Sequence, residues 1–393
     1  MGEAFIVSAV RTATGKRNGS LSGVHPIDLG AAVVDELLDR CRIPDTEVDD
    51  VIFGCVTQIG AQSGNIARNI VLASRLDLSV PGVTVDRQCG SSLQAIHFGA
   101  QAVMSGTQDL VICGGVESMS QVPIGADLTD GKAAGRGVQR GERLEERYPG
   151  IEFSQFTGAE LLAGKYFIGR RELDKFGLLS HQRAAAAIRA GNFREEIVPY
   201  EITDESGSPV TFQQDEGVRF DASLDALQGL QPLREGGLIT AGTASQVSDG
   251  AAALMIASRR AVEKYDLVVR ARIHTLSVIG SDPEIMLEGP IPATEKLLQR
   301  AEISMDDVDL YEVNEAFGSV PLAWLKAMDA DIHRLNVNGG AQALGHPLGA
   351  TGAKLMTTLL YELERRNGRF GLVAICEGGG TANATLIERG GLA

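Results

Sequence analysis

Ile43-Pro44-Asp45-Thr46-Glu47-Val48-Asp49 runs directly into an apolar stretch at residues 51–56. Ile303-Ser304-Met305-Asp306-Asp307-Val308-Asp309 runs into another at residues 310–313. The two heptads share Ile, an acid, Val and Asp at matching places and lie 260 positions apart. Two further pairings follow in the same order. Val85-Asp86-Arg87-Gln88-Cys89-Gly90 sits opposite the glycine-rich Val337-Asn338-Gly339-Gly340. Leu110-Val111-Ile112-Cys113-Gly114-Gly115 resembles Leu372-Val373-Ala374-Ile375-Cys376 at an offset near 263. Each pairing alone is weak, but three in one order favour a duplicated unit. Two such units side by side would bring matching loops to one shared cleft.

The units read as α/β. Residues 4–10, 51–56, 83–86 and 109–113 are short apolar strand candidates. Between them lie helical patterns, one with Asp28 as its candidate cap and Leu29, Val33 and Leu37 on its apolar face, another at residues 66–76. That alternation predicts a mainly parallel or mixed sheet covered by helices. From about Met119 to Val247 the pattern changes to glycines, charges and short amphipathic pieces. A helix is expected at residues 174–190 and a polar hairpin at 201–212, turning at Gly207-Ser208-Pro209. The expected division is residues 1–118 with 248–270 as one half, 119–247 as an inserted lid, and 271–393 as the second half.

Composition narrows the function. The 393 residues carry a net charge of −15, which argues against a nucleic-acid backbone as partner. Lys132, Arg136, Arg140, Arg143 and Arg147 cluster locally, as either a solvated loop or a ligand or subunit contact. Five scattered cysteines, 41, 55, 89, 113 and 376, resemble neither a disulfide framework nor a zinc site, and a reducing compartment is the default. No metal is expected. The N-terminus lacks a signal-peptide pattern. No apolar run reaches the roughly 18 residues of a membrane span. Gly391-Leu392-Ala393 is not a peroxisomal signal. The expectation is a cytoplasmic protein with no membrane partner.

Four places could carry chemistry. Cys89 follows a strand candidate and precedes Gly90-Ser91-Ser92, after which Leu93, Ile96, Ala100 and Val103 recur at helical spacing. It should therefore sit at a strand-to-helix turn, where free N–H groups and the helix dipole favour a thiolate. Its own N–H would be free for an oxyanion. Read alone, it is equally a buried, inert thiol. His346 lies in Gly345-His346-Pro347-Leu348-Gly349, where Pro347 enforces a turn or extended backbone and suits the first turn of a following helix. Cys376 precedes Glu377-Gly378-Gly379-Gly380, a run suited either to anion binding or to a turn with positive φ. Asn314-Glu315-Ala316-Phe317 follows the strand at 310–313, at the carboxyl end where open α/β sheets place their sites. Asn314 could instead cap a helix.

Taken together, the chain resembles the thiolase family over nearly its whole length. The Cys89 loop is similar to the family's nucleophile motif and Asn314-Glu315-Ala316-Phe317 to its second. Val337-Asn338-Gly339-Gly340 through Gly345-His346-Pro347-Leu348-Gly349-Ala350-Thr351-Gly352 is similar to the third, and Cys376-Glu377-Gly378-Gly379-Gly380 to the fourth. Gly114-Gly115-Val116-Glu117-Ser118-Met119-Ser120 resembles a family segment leading into the lid. The resemblance implies a thiolase-like fold of two duplicated αβαβα-layered halves with an inserted lid.

It also implies a reaction, the cleavage of a 3-ketoacyl-CoA by a second coenzyme A or its reverse. Cys89 would be the nucleophile and His346 the base that activates it, with the resulting ion pair lowering the thiol pKa. Cys376 would be the second acid/base. One oxyanion site would be His346 with a water held by Asn314, the other the N–H groups of Cys89 and Gly378. Coenzyme A would be a co-substrate, with no tightly bound cofactor. Arg219 matches a residue near its nucleotide end, or is a plain surface charge. Ser245 matches a pantetheine contact, with Ala316 and Phe317 beside it. A homodimer or homotetramer is implied.

The chain departs from short-chain members at Ser154-Gln155-Phe156, where many carry His-Met-Gly. Gln155 and Phe156 border the expected acyl pocket and resemble members that take bulkier chains, steroid-derived ones included. Glu377 replaces a common hydrophobic residue and should raise the Cys376 pKa if it points inward. Ser92 replaces a frequent Gly. The favoured reading is a degradative 3-ketoacyl-CoA thiolase. A biosynthetic acetoacetyl-CoA thiolase comes next. A ketoacyl synthase, which would lack an equivalent of Cys376 as acid/base, and a non-catalytic lipid-binding relative are disfavoured because Cys89, Asn314, His346 and Cys376 are all present.

Overall fold

The computed structural model describes residues 2–204 and 206–390. The C-terminal tripeptide read above lies outside the described residues.

Nine strands form the path of the main sheet: β1 (Phe5–Thr12), β2 (Asp50–Gly54), β3 (Gly82–Val85), β4 (Leu110–Ser118), β5 (Ser248–Ala257), β6 (Ala271–Gly280), β7 (Leu310–Val313), β8 (Phe370–Glu377) and β9 (Thr381–Glu388). The helices used below are α1 (Pro26–Cys41), α2 (Ile66–Ala73), α3 (Ser91–Ser105), α4 (Gln155–Lys165), α5 (Arg170–Ala190), α6 (Pro290–Ala301), α7 (Ser319–Met328) and α8 (Thr351–Arg366). Strand order is β7-β8-β9-β6-β1-β5-β4-β2-β3. Read outward from the β1/β6 junction, the halves repeat: β1-β5-β4-β2 on one side, β6-β9-β8-β7 on the other. The junction is a short antiparallel contact of Phe5 with Arg272 and Ile6 with Ala271.

Alternation along the strands builds the layers, because successive side chains face opposite ways. In β4, Leu110, Ile112 and Val116 join the cluster that includes Val33, Leu37 and Ile70 of α1 and α2. Val111 and Cys113 face the other way, into a cluster with Leu93 and Ile96 of α3 and Met356 and Leu359 of α8. In β8, Val373 and Ile375 enter that same middle cluster. Leu372, Ala374 and Cys376 face Leu297 of α6 and Trp324 of α7. The stacking is α, β, α, β, α, with α3 and α8 as the shared middle layer.

The duplication extends to local hydrogen bonds. Asp49 Oδ2 accepts from the N–H groups of Asp109 (2.6 Å) and Leu110 (2.9 Å). Asp309 Oδ2 accepts from those of Arg369 (2.7 Å) and Phe370 (2.8 Å). Both sets lie 260 positions apart, as do the starts of α3 and α8. Two sequence pairings are thereby corrected. Leu110 matches Phe370 rather than Leu372, since these two hold the same place in the paired Asp49 and Asp309 hydrogen bonds. The Cys89 turn matches the turn at His346–Gly349 that opens α8, not residues 337–340.

Other elements differ in detail. The N-cap of α1 is His25, whose side chain accepts from Ile27 N, and Asp28 sits in the first turn. The helix expected from residue 174 begins at Arg170. The hairpin pairs Tyr200–Thr203 with Pro209–Phe212.

Residues between β4 and β5 are pinned to the core by a buried ion cluster. Arg11 of β1 is fully buried. Its Nε donates to Glu196 Oε1 at 2.6 Å, and its other nitrogens fork onto Asp215 at 2.8 and 3.0 Å. Burial alone would raise the Asp215 pKa, but Arg11 and Lys354 outweigh it and hold the carboxyl below its ordinary value. Removing one partner leaves a buried charge uncompensated. Asp215→Ala is expected to cost about 3–5 kcal/mol, read as a lower urea midpoint with an unchanged m-value. A shift below about 1 kcal/mol would show that the cluster is solvated like a surface pair.

Candidate active site

The first group is a turn. Cys89 follows β3 and precedes α3, whose N-cap is Gly90. The turn is tight: Gln88 has φ of +49°, Gly90 N donates to Arg87 O and Ser91 N to Gln88 O. Cys89 is 3% exposed. The matching turn in the second half carries His346, also 3% exposed, ahead of α8. The two helix starts meet: Ala353 N donates to Ser92 Oγ at 2.9 Å, and a side chain at Gly352 would collide with Leu93. Ser92, which departs from the common Gly, thus joins the two halves.

The surroundings of His346 fix its tautomer. Thr351 Oγ1 donates to Pro347 O at 2.8 Å, so at 2.6 Å from His346 Nδ1 it can only accept. The proton therefore sits on Nδ1, and Nε2 presents a lone pair. Asn314 Nδ2 lies 3.4 Å from Nε2, and Asn314 Oδ1 has no partner among the described residues. Asn314 follows β7 and does not cap a helix, since α7 begins only at Ser319. Neighbouring Glu315 anchors it, accepting from Ser180 Oγ of α5, Asn336 Nδ2 and Gln342 N.

Cys376 ends β8, fully buried. It lies close enough to Cys89 for a charge on Cys89 to raise the Cys376 pKa. Past it, a side chain at Gly378 would meet Gln88 Oε1 at 2.9 Å, so the Gly378 loop lies against the Cys89 turn. The amides of Cys89 and Gly378 donate to no acceptor among the described residues. Two unused donors beside a buried thiol are the arrangement an oxyanion requires.

Burial dominates the electrostatics. It pushes the Cys89 thiol up to about 12, with the Glu377 carboxyl adding to the effect. It pushes Cys376 well above the ordinary thiol value, with Cys89 and Glu377 contributing. It pulls His346 down to about 3, helped by the Lys354 charge. Burial therefore favours the neutral thiol and the neutral imidazole, and it works against the thiolate–imidazolium pair expected from the helix N-terminus. Glu377 does point inward, as expected for a residue that raises the Cys376 pKa, and it bears on Cys89 too.

The proposed coenzyme A contacts assemble on one strip. Ser245 N donates to Ala316 O at 2.9 Å, and Ala244 pairs with Phe317. Gln246 Nε2 donates to Gly217 O, two residues before Arg219. The Arg219 backbone N donates to His181 Nδ1. Its side chain is exposed and has no ion pair among the described residues. The acyl-pocket pair separates. Gln155 lines a cavity of about 700 Å³ with Gln88, Ile124, Leu128, Phe153 and Gly378. Phe156 instead packs edge-on against Phe317, ring centroids 5.5 Å apart. In the basic cluster, Arg140 is tied down by Glu145, Ile151 O and Tyr148 O.

Three residues escaped the sequence reading. Glu117, within the quoted 114–120 segment, accepts from Val56 N, Thr57 N, Gln62 Nε2 and Gly349 N, tying β4 to the His346 turn. Thr351 sets the imidazole tautomer. Lys354 Nζ donates to Leu344 O and Gly345 O, just before His346. Only Glu117 left a signal, as an acid inside an apolar strand.

Among the described residues no group of three or more His, Cys, Asp or Glu could hold a metal ion. No helix among them is long and apolar enough to cross a membrane, and all five cysteines are free.

Comparison with known proteins covers nearly the whole chain. The family models for the thiolase N-terminal and C-terminal domains cover residues 4–260 and 267–389. A steroid 3-ketoacyl-CoA thiolase of Mycobacterium tuberculosis is 55% identical over 99% of this chain and 95% of its own length. A 3-ketoacyl-CoA thiolase of Bacillus subtilis is 42% identical over 99% of this chain and 100% of its own. The crystal structure of the Bacillus anthracis acetyl-CoA acetyltransferase superposes with a TM-score of 0.90 at 38% identity, covering 99% of both chains. With the motifs, the doubled fold and these matches in agreement, the chain belongs to the thiolase family.

Proposed function

We propose that this thiolase works in the degradative direction, on 3-ketoacyl-CoA substrates whose acyl part is bulky and ring-derived. The observation that carries this reading is the cavity of about 700 Å³. It runs from Gln88 and Gly378, beside the nucleophile turn, to an apolar wall of Ile124, Leu128, Leu144, Ile151 and Phe153. An acetoacetyl group would leave most of that wall unfilled. The likeness to a thiolase named for steroids points the same way. Products would be acetyl-CoA or propionyl-CoA and a shortened acyl-CoA.

In this reading Cys89 Sγ attacks the 3-keto carbon as its proton passes to His346 Nε2. With Cys89 near 12 and His346 near 3, no free thiolate accumulates. The proton moves only as negative charge passes onto the substrate oxygen, where the Cys89 and Gly378 amides receive it. Loss of one such donor typically costs about 2.7–4 kcal/mol of barrier. The bond between the α carbon and the former keto carbon then breaks. The enolate oxygen of departing acetyl-CoA is held by His346, now protonated, and a water on Asn314, and Cys376 protonates its carbon. Incoming coenzyme A gives its thiol proton to the Cys376 thiolate and attacks the acyl-Cys89 thioester, and Cys89 leaves as the thiol by taking back the proton held on His346. Ser245, Ala316 and Phe317 would hold the pantetheine arm and Arg219 a phosphate.

The same reading makes coenzyme A a co-substrate with no tightly bound cofactor. It divides the chain at residues 1–118 with 248–270, 119–247 and 271–393. It takes the enzyme to be a cytoplasmic homodimer or homotetramer. Support for association comes from the unpaired outer edge of β3 and the exposed Val83 and Leu78 near it.

Thiolysis of a graded set of 3-ketoacyl-CoA substrates tests the substrate reading. Expected are kcat/KM values rising from acetoacetyl to ring-bearing chains, with Cys89→Ala inactive on all. A preference for acetoacetyl-CoA would move the assignment to the biosynthetic reaction. The resting protonation state has its own test. Alkylation of Cys89 by iodoacetamide in the free enzyme should keep climbing with pH well past the ordinary thiol value of about 8.5. A plateau near neutral pH would show a preformed thiolate.

A further inference from the structure

Glu117 and Glu377 end β4 and β8, 260 positions apart, and each reaches across to the helix-opening turn of the other half. Glu117 meets Gly349 there and has four N–H donors around it. Glu377 meets Gly90, next to Cys89, and its partners differ in kind. Glu377 Oε2 accepts from Thr381 Oγ1 at 2.6 Å. Oε1 is buried and has no donor among the described residues. Asn383 Oδ1, also buried, has none either. Both oxygens converge on the same point. A side chain built at Gly90 would lie 2.0 Å from Glu377 Oε1 and 2.8 Å from Asn383 Oδ1.

The orientation of the Asn383 amide is not free. Its Nδ2 donates to Gly90 O at 3.0 Å. A flipped amide would set two acceptors against each other there. The distances of 2.0 and 2.8 Å from that one built atom place the two oxygens no more than 4.8 Å apart, and two buried acceptors so close without a proton between them are costly. One proton on Glu377 Oε1 removes the conflict. We propose that Glu377 is held as a neutral carboxylic acid donating to Asn383 Oδ1, and that this clasp on Gly90 makes it a positioning residue for the nucleophile turn. The proposal rests on Cys89 being the nucleophile.

Its surroundings agree. Burial pushes Glu377 up to about 8, against the pull of Thr381 and Arg87, with Asp86 adding to the rise. Arg87, Asp86 and Cys89 face it from the turn and Cys376 from its own strand. On α3, His97 meets Thr385, two residues along β9 from Asn383. Burial pulls His97 down to about 3, so it brings no charge. The sign follows. Below about 8 the acid is neutral and the clasp is closed. Above it a carboxylate appears beside both thiols, opposes charge on either, and faces Asn383 Oδ1 without a donor.

Two measurements on the whole enzyme test this. The infrared difference spectrum of free wild type minus Glu377→Gln should show a protonated-carboxyl C=O band at neutral pH that gives way to carboxylate bands at alkaline pH. That readout needs no substrate, so it stands or falls apart from the thiolase reading. In thiolysis, wild-type kcat/KM should fall about tenfold per pH unit on the alkaline side. Glu377→Gln, whose amide donates at every pH, should keep neutral activity and lose that limb. Glu377→Ala should lower kcat about 10²-fold with little change in KM, as displaced reacting groups do. Carboxylate bands at neutral pH, or an alkaline limb unchanged in Glu377→Gln, would overturn the proposal.

Discussion

Two helices with a sheet on either side are the constraint on which the rest depends. A helix in that position has no solvent face. Nearly all of the first ten residues of α3 and α8 are buried. Their N-termini cannot end at the surface and meet each other in the interior. Glycine makes the meeting possible: side chains at Gly54, Gly115 or Gly349 would strike backbone within 3 Å. Backbone donors with no acceptor are thereby gathered at one buried point, and the sequence places Cys89 and His346 there.

Burial then sets the chemistry. A thiol at a solvated helix N-terminus would ionise readily; the same thiol here is held neutral, as is the imidazole. In the proposed reaction such a site gains reactivity only when a substrate carbonyl offers somewhere for charge to go. Precise placement matters more than intrinsic nucleophilicity. Thr351 fixes the imidazole tautomer, Lys354 holds the two carbonyls before His346, and Glu117 and Glu315 hold the flanking loops.

The segment between β4 and β5 is anchored to the rest of the chain at its base. It is fastened by Arg11 to Glu196 and Asp215 and by Ser180 to Glu315. The wall of the large cavity is built from short helices at residues 126–133 and 142–147, none of whose residues is buried. The turns around Cys89 and His346 are therefore densely packed, while this cavity wall is a lightly packed frame.

The sequence by itself determined the doubled α/β unit and the family, and it marked the candidate site residues. Period-2 and period-3.6 apolar patterns and the heptad before β2 and β7 are local, and local order is what a chain displays. Cys89 and His346 were legible because each sits in a glycine- or proline-marked turn, and Asn314 and Cys376 because each stands at the carboxyl end of an apolar strand. The heptads gave the offset of 260, but the register of the later pairings was not legible: it shows where the Asp49 and Asp309 carboxylates accept from backbone N–H groups. Nor were the protonation states. Cys89 was expected to be an easily ionised thiol, because a helix N-terminus is visible in sequence while the depth of its burial is not. Glu117 and Glu377 look like two acids at the ends of two similar strands. Only the folded chain shows that one is surrounded by N–H donors and the other faces an amide oxygen, and that contrast arises from residues more than 200 positions apart brought to within a hydrogen bond.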